Sequence, residues 1–447
     1  MPKYEIDIKK KYIMPADLRV VHYKNKILVI APKFANWIVI DNPQQLSIFE
    51  YLRSGHSIGE TLSVEAYSNK DVSSVVTQIE ARQLCSKDVH NITDEERDLH
   101  IYLTNKCNMT CPHCYMYAGK ANQNELSTEE IFSLLKNHKD IAKGTSVTLS
   151  GGEPTIRKDF DVIVEFAYKI GLEVKVLTNG TLFTFEQINK LAKWLYSVQI
   201  SIDGFSEETN SQIRGKGNFD RALKTIDYFV NCGVNASVAI APPMDLLRVY
   251  RNEYVDFAKK LSEQYHTKPL SVRFAEELIP GREISPSRSF TNEYYNLVKS
   301  IQEQLYEFDY ELMNFVRKLN GDAIINNCQF GKFAIASNGD VYLCARIGDL
   351  SPIANVRNVS FDEILEITNA VEKNTHVRNL HPCNNCELCY ICGGGCRIEE
   401  FPDVITDTPL RKVSQECEIS RVCSAKIKEK FYDLMIRSNK YFYKEPK

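Results

Sequence analysis

The pattern of apolar and polar positions changes character twice along this chain. In residues 1–84, Leu18–Tyr23 and Ile27–Ile30 flank Lys24-Asn25-Lys26, and Trp37–Asp41 follows as a third short run. These runs predict a small antiparallel sheet. Asn42-Pro43 then opens a helical period through Arg53. Ser57–Ala66 and Asp71–Leu84 continue it, each with apolar residues three or four apart. Three strands followed by three helices predict a winged-helix-like domain. Residues 85–96 are polar and read as a linker. Over residues 97–303 the pattern becomes βα alternation. Its strands are His100–Thr104, Ser146–Leu149, Glu173–Leu177, Ser197–Ser201, Asn235–Ile240 and Leu270–Phe274. Thr128–Asn137, Phe160–Ile170, Phe185–Trp194 and Phe219–Cys232 are helical stretches between them. Six such units predict an α/β fold, either a partial (β/α)6 TIM-like barrel or an open sheet, with its site at the C-terminal strand ends. In residues 304–447 a helical segment runs to Leu319. Short strands lie at Lys332–Ala336 and Val341–Leu343, and a last periodic helix at Ser424–Arg437. Much of this part is too poor in apolar periodicity for a large core, so bound metal is expected to supply folding energy.

Composition narrows the classes. The 447 residues are 43% hydrophobic with a net charge of −3, which gives no bulk argument for nucleic-acid binding. No run approaches the ~20 apolar residues of a membrane span. The first residues, MPKYEIDIKKKYIM, carry lysines without an apolar run behind them, so no export signal is expected and the location is expected to be cytoplasmic. Fourteen cysteines are then the anomaly. Ten fall at close spacings, and in a reducing compartment that favours metal ligation over disulfides.

Cys107, Cys111 and Cys114 form C-x3-C-x2-C directly after the first barrel strand, with Tyr115 next. Three thiolates can hold a [4Fe–4S] cluster while leaving one iron open to a small ligand. After the second strand comes Ser150-Gly151-Gly152-Glu153-Pro154. The two glycines would let a ligand approach the backbone, and Glu153 offers a carboxylate to an amine. Thr178-Asn179-Gly180 closes the third strand, Ser201-Ile202-Asp203-Gly204 the fourth, and Arg214 follows. Asn179 is equally readable as turn chemistry, and Arg214 as a surface or capping charge. His100 and His113 lie near this chemistry in packing or supporting roles.

Together these motifs resemble the radical S-adenosylmethionine (radical SAM) superfamily. The resemblance implies Cys107, Cys111 and Cys114 as ligands of a cluster whose open iron chelates S-adenosylmethionine, and a 5′-deoxyadenosyl radical that abstracts hydrogen. It implies Gly151, Gly152, Glu153 and Pro154 at the methionine end of the cofactor, and Asn179, Ser201, Asp203 and Arg214 along its pocket. Ser201 and Asp203 would serve the ribose, and Arg214 the carboxylate.

A second cysteine set reads Cys328-x10-Gly339-x4-Cys344, then Cys383-x2-Cys386-x5-Cys392-x3-Cys396, then Cys417 and Cys423. It resembles the SPASM extension, which implies two auxiliary [4Fe–4S] clusters and three clusters in all. Cys383, Cys386 and Cys392 would share one with a late cysteine, and Cys328, Cys344 and Cys396 the other. Cys423 is the expected closing ligand. Cys417 either completes the second cluster or leaves an open iron. Cys389 is an extra member inside the x5 gap, ligand or idle. A zinc ribbon over Cys383–Cys396 is the structural alternative, and it leaves the Cys328/Cys344 pair unexplained. Cys85 and Cys232 read as ordinary half-buried cysteines.

The N-terminal domain looks like the peptide-recognition module of enzymes that mature ribosomally made peptides, binding a leader as an added strand. The reading that follows is a maturase of a precursor peptide. It would form a thioether or carbon–carbon cross-link, with electrons from a flavodoxin or ferredoxin. Formylglycine formation of the sulfatase-activating kind, peptide epimerisation, and an Fe–S redox sensor with a DNA-binding winged helix are the rival readings.

Overall fold

The computed structural model describes residues 7–85, 97–267, 270–285, 288–305, 309–319, 323–328, 330–400 and 425–441. Cys417, Cys423 and nearly all of the 85–96 linker lie outside the described residues. The chain divides into two compact units, each assembled from separated stretches of sequence.

The first unit comprises Met1–Asp94, Asp309–Gln329 and Lys373–Lys447. Its sheet is the meander β1 (Arg19–Tyr23), β2 (Lys26–Ala31), β3 (Asn36–Ile40). Tyr23 pairs with Lys26 across a two-residue turn, and Lys24 takes the positive φ of 52° that such a turn requires. Three capped helices follow. Asn42 accepts from the Gln45 backbone before Pro43–Arg53. A Ser57/Glu60 capping box starts Ile58–Leu62, and Ser68 caps Asn69–Ala81. Strand, strand, strand, helix, helix, helix is the order the sequence pattern predicts.

Both faces of this sheet are buried, which explains why β2 and β3 read as near-continuous apolar runs. Ile27, Val29, Ile38 and Ile40 pack on Ile48, Phe49 and Leu52 of the first helix and Val72, Val76 and Ile79 of the third. Leu28, Ile30, Trp37 and Val39 pack on the opposite side, against Leu312, Phe315, Leu388, Ile391, Tyr432 and Met435. Trp37 Nε1 donates to the Met435 carbonyl at 3.2 Å. Residues 1–84 therefore share their core with the cysteine-rich segment and the helix Ala425–Ser438.

The second unit comprises Glu95–Phe308 and Phe330–Glu372. β4 (Asp98–Tyr102), β5 (Ser146–Ser150), β6 (Glu173–Thr178), β7 (Leu195–Ser201), β8 (Asn235–Ile240) and β9 (Leu270–Phe274) are parallel neighbours in chain order. This is the partial (β/α) barrel. β10 (Ala334–Ile335) adds in parallel beside β4, and β11 (Asp340–Tyr342) and β12 (Ala354–Asn355) continue antiparallel, completing a nine-stranded open sheet. The helical segment read from about residue 304 to Leu319 takes in the last residues of one helix, Arg288–Leu305, and the whole of another, Tyr310–Lys318, and the two helices belong to different units. Asp309 makes the break: its side chain accepts from the Leu312 backbone and starts a new helix.

Candidate active site

The C-terminal ends of β4 to β7 surround a cavity of about 220 Å³. Cys107, Cys111 and Cys114 line it together with Gly151, Gly152, Asn179, Ser201 and Arg214. These residues come from four βα turns, and the sequence pattern selected all of them.

The loop that carries the cysteines is held mainly by backbone bonds. Cys107 N donates to Gly119 O at 3.0 Å, and Cys114 N to Cys111 O at 3.2 Å. Two amides point at thiols: Met109 N lies 3.4 Å from Cys107 Sγ, and Ala118 N 3.4 Å from Cys114 Sγ. Amide-to-sulfur bonds of this kind stabilise the thiolates of an iron–sulfur centre. Burial pushes the Cys107 thiol up to about 11 and raises Cys111, so an incoming metal must displace their protons. Among the described residues, no three His, Cys, Asp or Glu side chains are placed to hold a single ion. The three thiols line one cavity, and three thiolates are a donor set that fits an iron–sulfur cluster.

The two glycines line the cavity and also seat the cysteine loop. Gly152 N donates to Thr104 O at 2.8 Å, and Glu153 N to Lys106 O at 2.9 Å. A Cβ on Gly151 would lie 2.4 Å from Thr104 O, and one on Gly152 2.5 Å from Lys106 O. Gly151 also has a φ of 143°. The glycines are required because the backbone of the cysteine loop packs directly on them. Glu153 is tied into the same joint. Its carboxylate is fully buried and accepts from Asn179 N at 2.7 Å, Thr178 Oγ1 at 2.8 Å and Thr155 Oγ1 at 2.5 Å. Burial raises its pKa, and these donors oppose the rise. Glu153 braces the β5 and β6 turns. Pro154 is buried behind it and opens a short helical turn.

Asn179 likewise ties loops together. Its Nδ2 donates to Asn108 Oδ1 at 2.8 Å, and its Oδ1 accepts from Thr181. Asp203, expected at a ribose, is fully buried and committed to three donors. Arg214 Nε is 2.5 Å away, His113 Nε2 3.2 Å, and Ala241 N 3.0 Å. Burial opposes its ionisation, but Arg214 and His113 outweigh burial and hold the carboxyl well below the usual range. Burial works equally against the charge of Arg214, and Asp203 with the Cys111 thiol overcomes it. The result is a preformed guanidinium in the cavity wall, aimed by Asp203 and suited to a carboxylate.

Sequence reasoning missed Gln199, which also lines the cavity, and Arg282. Arg282 donates to the carbonyls of Cys111, at 2.8 Å, and Ala118. Glu283 N donates to Pro112 O at 2.7 Å, and a Cβ on Gly281 would lie 2.6 Å from His113 O. Residues 281–283 thus clamp the cysteine loop from more than 160 positions away.

Residues 101–245 match the radical SAM superfamily, and residues 327–393 the SPASM iron–sulfur cluster-binding domain. The chain is a radical SAM enzyme with a SPASM domain. The enzyme is similar to the mycofactocin maturase MftC of Mycolicibacterium smegmatis, 28% identical over 70% of this chain and 81% of the relative. It is also similar to an AdoMet-dependent heme synthase of Methanosarcina barkeri, 28% identical over 69% of this chain and 93% of the relative. Among solved structures, native anSMEcpe with bound AdoMet superposes with a TM-score of 0.58 at 19% identity, covering 77% of this chain and 99% of its own. Streptococcus suis SuiB bound to the precursor peptide SuiA superposes with a TM-score of 0.52 at 19% identity, covering 92% and 100%.

The SPASM match makes the later cysteines of the enzyme an auxiliary iron–sulfur-binding set. All twelve described cysteines are free of disulfides. In the first unit, Cys386 N bonds Cys383 O, Cys389 N bonds Cys386 O, and Cys392 N bonds Leu388 O, so successive tight turns carry the thiols. Leu388 N lies 3.4 Å from Cys386 Sγ. Fully buried Arg397 donates to the carbonyls of Thr375, Gly393 and Gly395. Burial lowers its pKa, and the thiols of Cys328, Cys383, Cys392 and Cys396 favour its charge. Such surroundings suit the net negative charge of a thiolate-ligated cluster. Cys389 is buried beside Cys383 and Cys386, and burial pushes its thiol up to about 12. Cys344 belongs to the second unit.

Proposed function

We propose that this enzyme matures a ribosomally made precursor peptide. It holds the leader on its N-terminal module and forms an intrapeptide cross-link, thioether or carbon–carbon, after hydrogen abstraction. The observation that carries this reading is the pairing, in one chain, of a radical SAM cavity with a three-strand, three-helix module. Two relatives support it by name, the mycofactocin maturase MftC and the sporulation killing factor maturation protein SkfB of Bacillus subtilis. A fold likeness to SuiB over 92% of the chain, against 77% for anSMEcpe, supports it further.

The recognition module is residues 1–84. The outer edge of β3 suits an added strand. Val39 N donates to Gln78 Oε1 at 2.8 Å, and Arg82 Nε to Trp37 O at 3.1 Å. Those side chains occupy the groups that a peptide backbone would take over bond for bond.

In the cavity, Cys107, Cys111 and Cys114 would hold the first of three [4Fe–4S] clusters, with the SPASM cysteines holding the other two. When bound, cluster and S-adenosylmethionine supply the reductive cleavage that generates a hydrogen-abstracting species. Arg214, held by Asp203, would pair with the cofactor carboxylate, and Ser201 and Gln199 line the same cavity. Arg282 and Glu153 keep the loops in register. A flavodoxin or ferredoxin supplies low-potential electrons.

The test incubates reconstituted enzyme, S-adenosylmethionine and reductant with short candidate precursors, then reads peptide mass. Loss of two hydrogens, with fragmentation locating the new bond, is the expected result. Unchanged mass with deuterium taken up from solvent would assign epimerisation instead. Cofactor cleavage that leaves every peptide intact but converts a tetrapyrrole would replace the peptide reading.

A further inference from the structure

Buried Tyr102 and half-buried Tyr115 join the cysteine loop of the active site to the SPASM cysteine Cys344, and all four groups lie in the second unit. Tyr115 follows Cys114 directly and lines the cavity. Its hydroxyl is 3.3 Å from that of Tyr102, on β4. The Tyr102 hydroxyl also contacts the carbonyl oxygen of Ala345, the residue after Cys344. A carbonyl only accepts, so Tyr102 donates to Ala345, and Tyr115 must donate to Tyr102. The hydrogen bonds therefore run in one direction, Tyr115 to Tyr102 to Ala345. The Cys344 loop also meets the Tyr115 backbone closely: a Cβ on Gly348 would lie 2.5 Å from Tyr115 O. The chain's function motifs use neither phenol.

We propose that Tyr115 and Tyr102 form the electron-tunnelling bridge between the centre held by Cys114 and the auxiliary centre held by Cys344. The inference rests on the reading of Cys344 as an auxiliary-cluster ligand. Closing a cross-link removes two hydrogens from the peptide. One leaves as an atom in the abstraction step. The other leaves as a proton and an electron, and the auxiliary centre accepts that electron. The bridge returns it to the oxidised centre at Cys114, so reducing power is recycled. No bond to either tyrosine forms or breaks, and neither phenol is oxidised. The tyrosines are positioning residues: they fix a path of two hydrogen bonds from the cysteine loop to the Cys344 loop.

The test uses the full reconstituted chain, reduced and then freed of reductant. It is mixed with S-adenosylmethionine, and the auxiliary paramagnetic signal is followed by freeze-quench spectroscopy. In the wild type this signal should decay as electrons drain to the Cys114 centre. Tyr102→Phe keeps the ring and removes both hydrogen bonds. It should slow the decay several-fold, with iron content and the midpoint potentials of all centres unchanged. Tyr115→Phe should slow it similarly. The double variant should be no slower than Tyr102→Phe, which already removes both bonds. Decay at the wild-type rate in Tyr102→Phe overturns the bridge, as does a wild type that shows no transfer. Separately, Cys344→Ala must lose auxiliary iron. If it retains full iron, the assignment of Cys344 fails, and the path loses its endpoint.

Discussion

Asp203 and Glu153 make contacts that only three dimensions reveal. Both carboxylates face the chain's own donors, so each acts on the cavity through a neighbour. Removing the charge of Asp203 leaves Arg214 buried beside a neutral amide. Breaking one partner of a buried pair costs about 3–5 kcal/mol. Asp203→Asn should therefore lower the unfolding midpoint and weaken S-adenosylmethionine binding, measurable by calorimetry, while cluster loading persists. His100 gives a pH signature. Its Nε2 lies 2.5 Å from Ser150 Oγ, and burial pulls its pKa down to about 4. A free imidazole titrates at about 6.5, so the unfolded chain takes up this proton first as the pH falls. The stability His100 contributes is complete above about pH 6.5 and is lost progressively down to about pH 4. Denaturant titrations across that window should show a slope that His100→Gln flattens. The residue types of the site were legible in sequence because chelation and close packing demand Cys and Gly at fixed spacings. Their directions were not, since a carboxylate at a strand end serves a ligand or a neighbouring loop with equal plausibility.

At the scale of elements, the six barrel strands emerged from apolar runs to within two residues, because parallel strands are buried on both faces. The joint between β5 and the cysteine loop was hidden, because it is backbone against backbone. Gly152→Ala puts a methyl 2.5 Å from Lys106 O and 2.7 Å from Asn105 O, main-chain atoms with little room to yield. Overpacking of this kind costs about 1–3 kcal/mol. The strain falls on the residues just before Cys107, so the variant should also reconstitute with less iron. Gly119→Ala is the control: nothing lies within 4 Å of the added methyl, and iron content should match the wild type. The Arg282 clamp was equally hidden. Contacts spanning 164 and 171 positions leave no periodic trace, and a lone arginine in a polar loop reads as surface charge.

At the scale of the molecule, the N-terminal module is part of a larger core and not an appendage. Its sequence gave the strand and helix order, but not that the second sheet face is covered by elements some 270 to 400 positions later. Apolar periodicity shows that a face is buried and is silent on what buries it. Trp37 decides the matter experimentally. It is fully buried, stacks obliquely on Phe315 with centroids 5.8 Å apart, and bonds the Met435 carbonyl. Phe315 and Met435 lie outside residues 1–84 but inside the same unit. Truncating a buried tryptophan costs about 3–5 kcal/mol. If the module were an independent domain, Trp37→Ala would loosen the module alone. In a shared core the loss extends to the helices Tyr310–Lys318 and Ala425–Ser438 and to the cysteine turns beside Leu388 and Ile391. Hydrogen exchange should then show lost protection in those later segments as well as in β3, and auxiliary iron should become easier to chelate. Deleting residues 1–84 should go further and give a chain that aggregates, since it bares the apolar face formed by Leu312, Phe315, Ile391, Tyr432 and Met435. Recovery of a well-folded, fully iron-loaded deletion variant would show that the module is dispensable to the core.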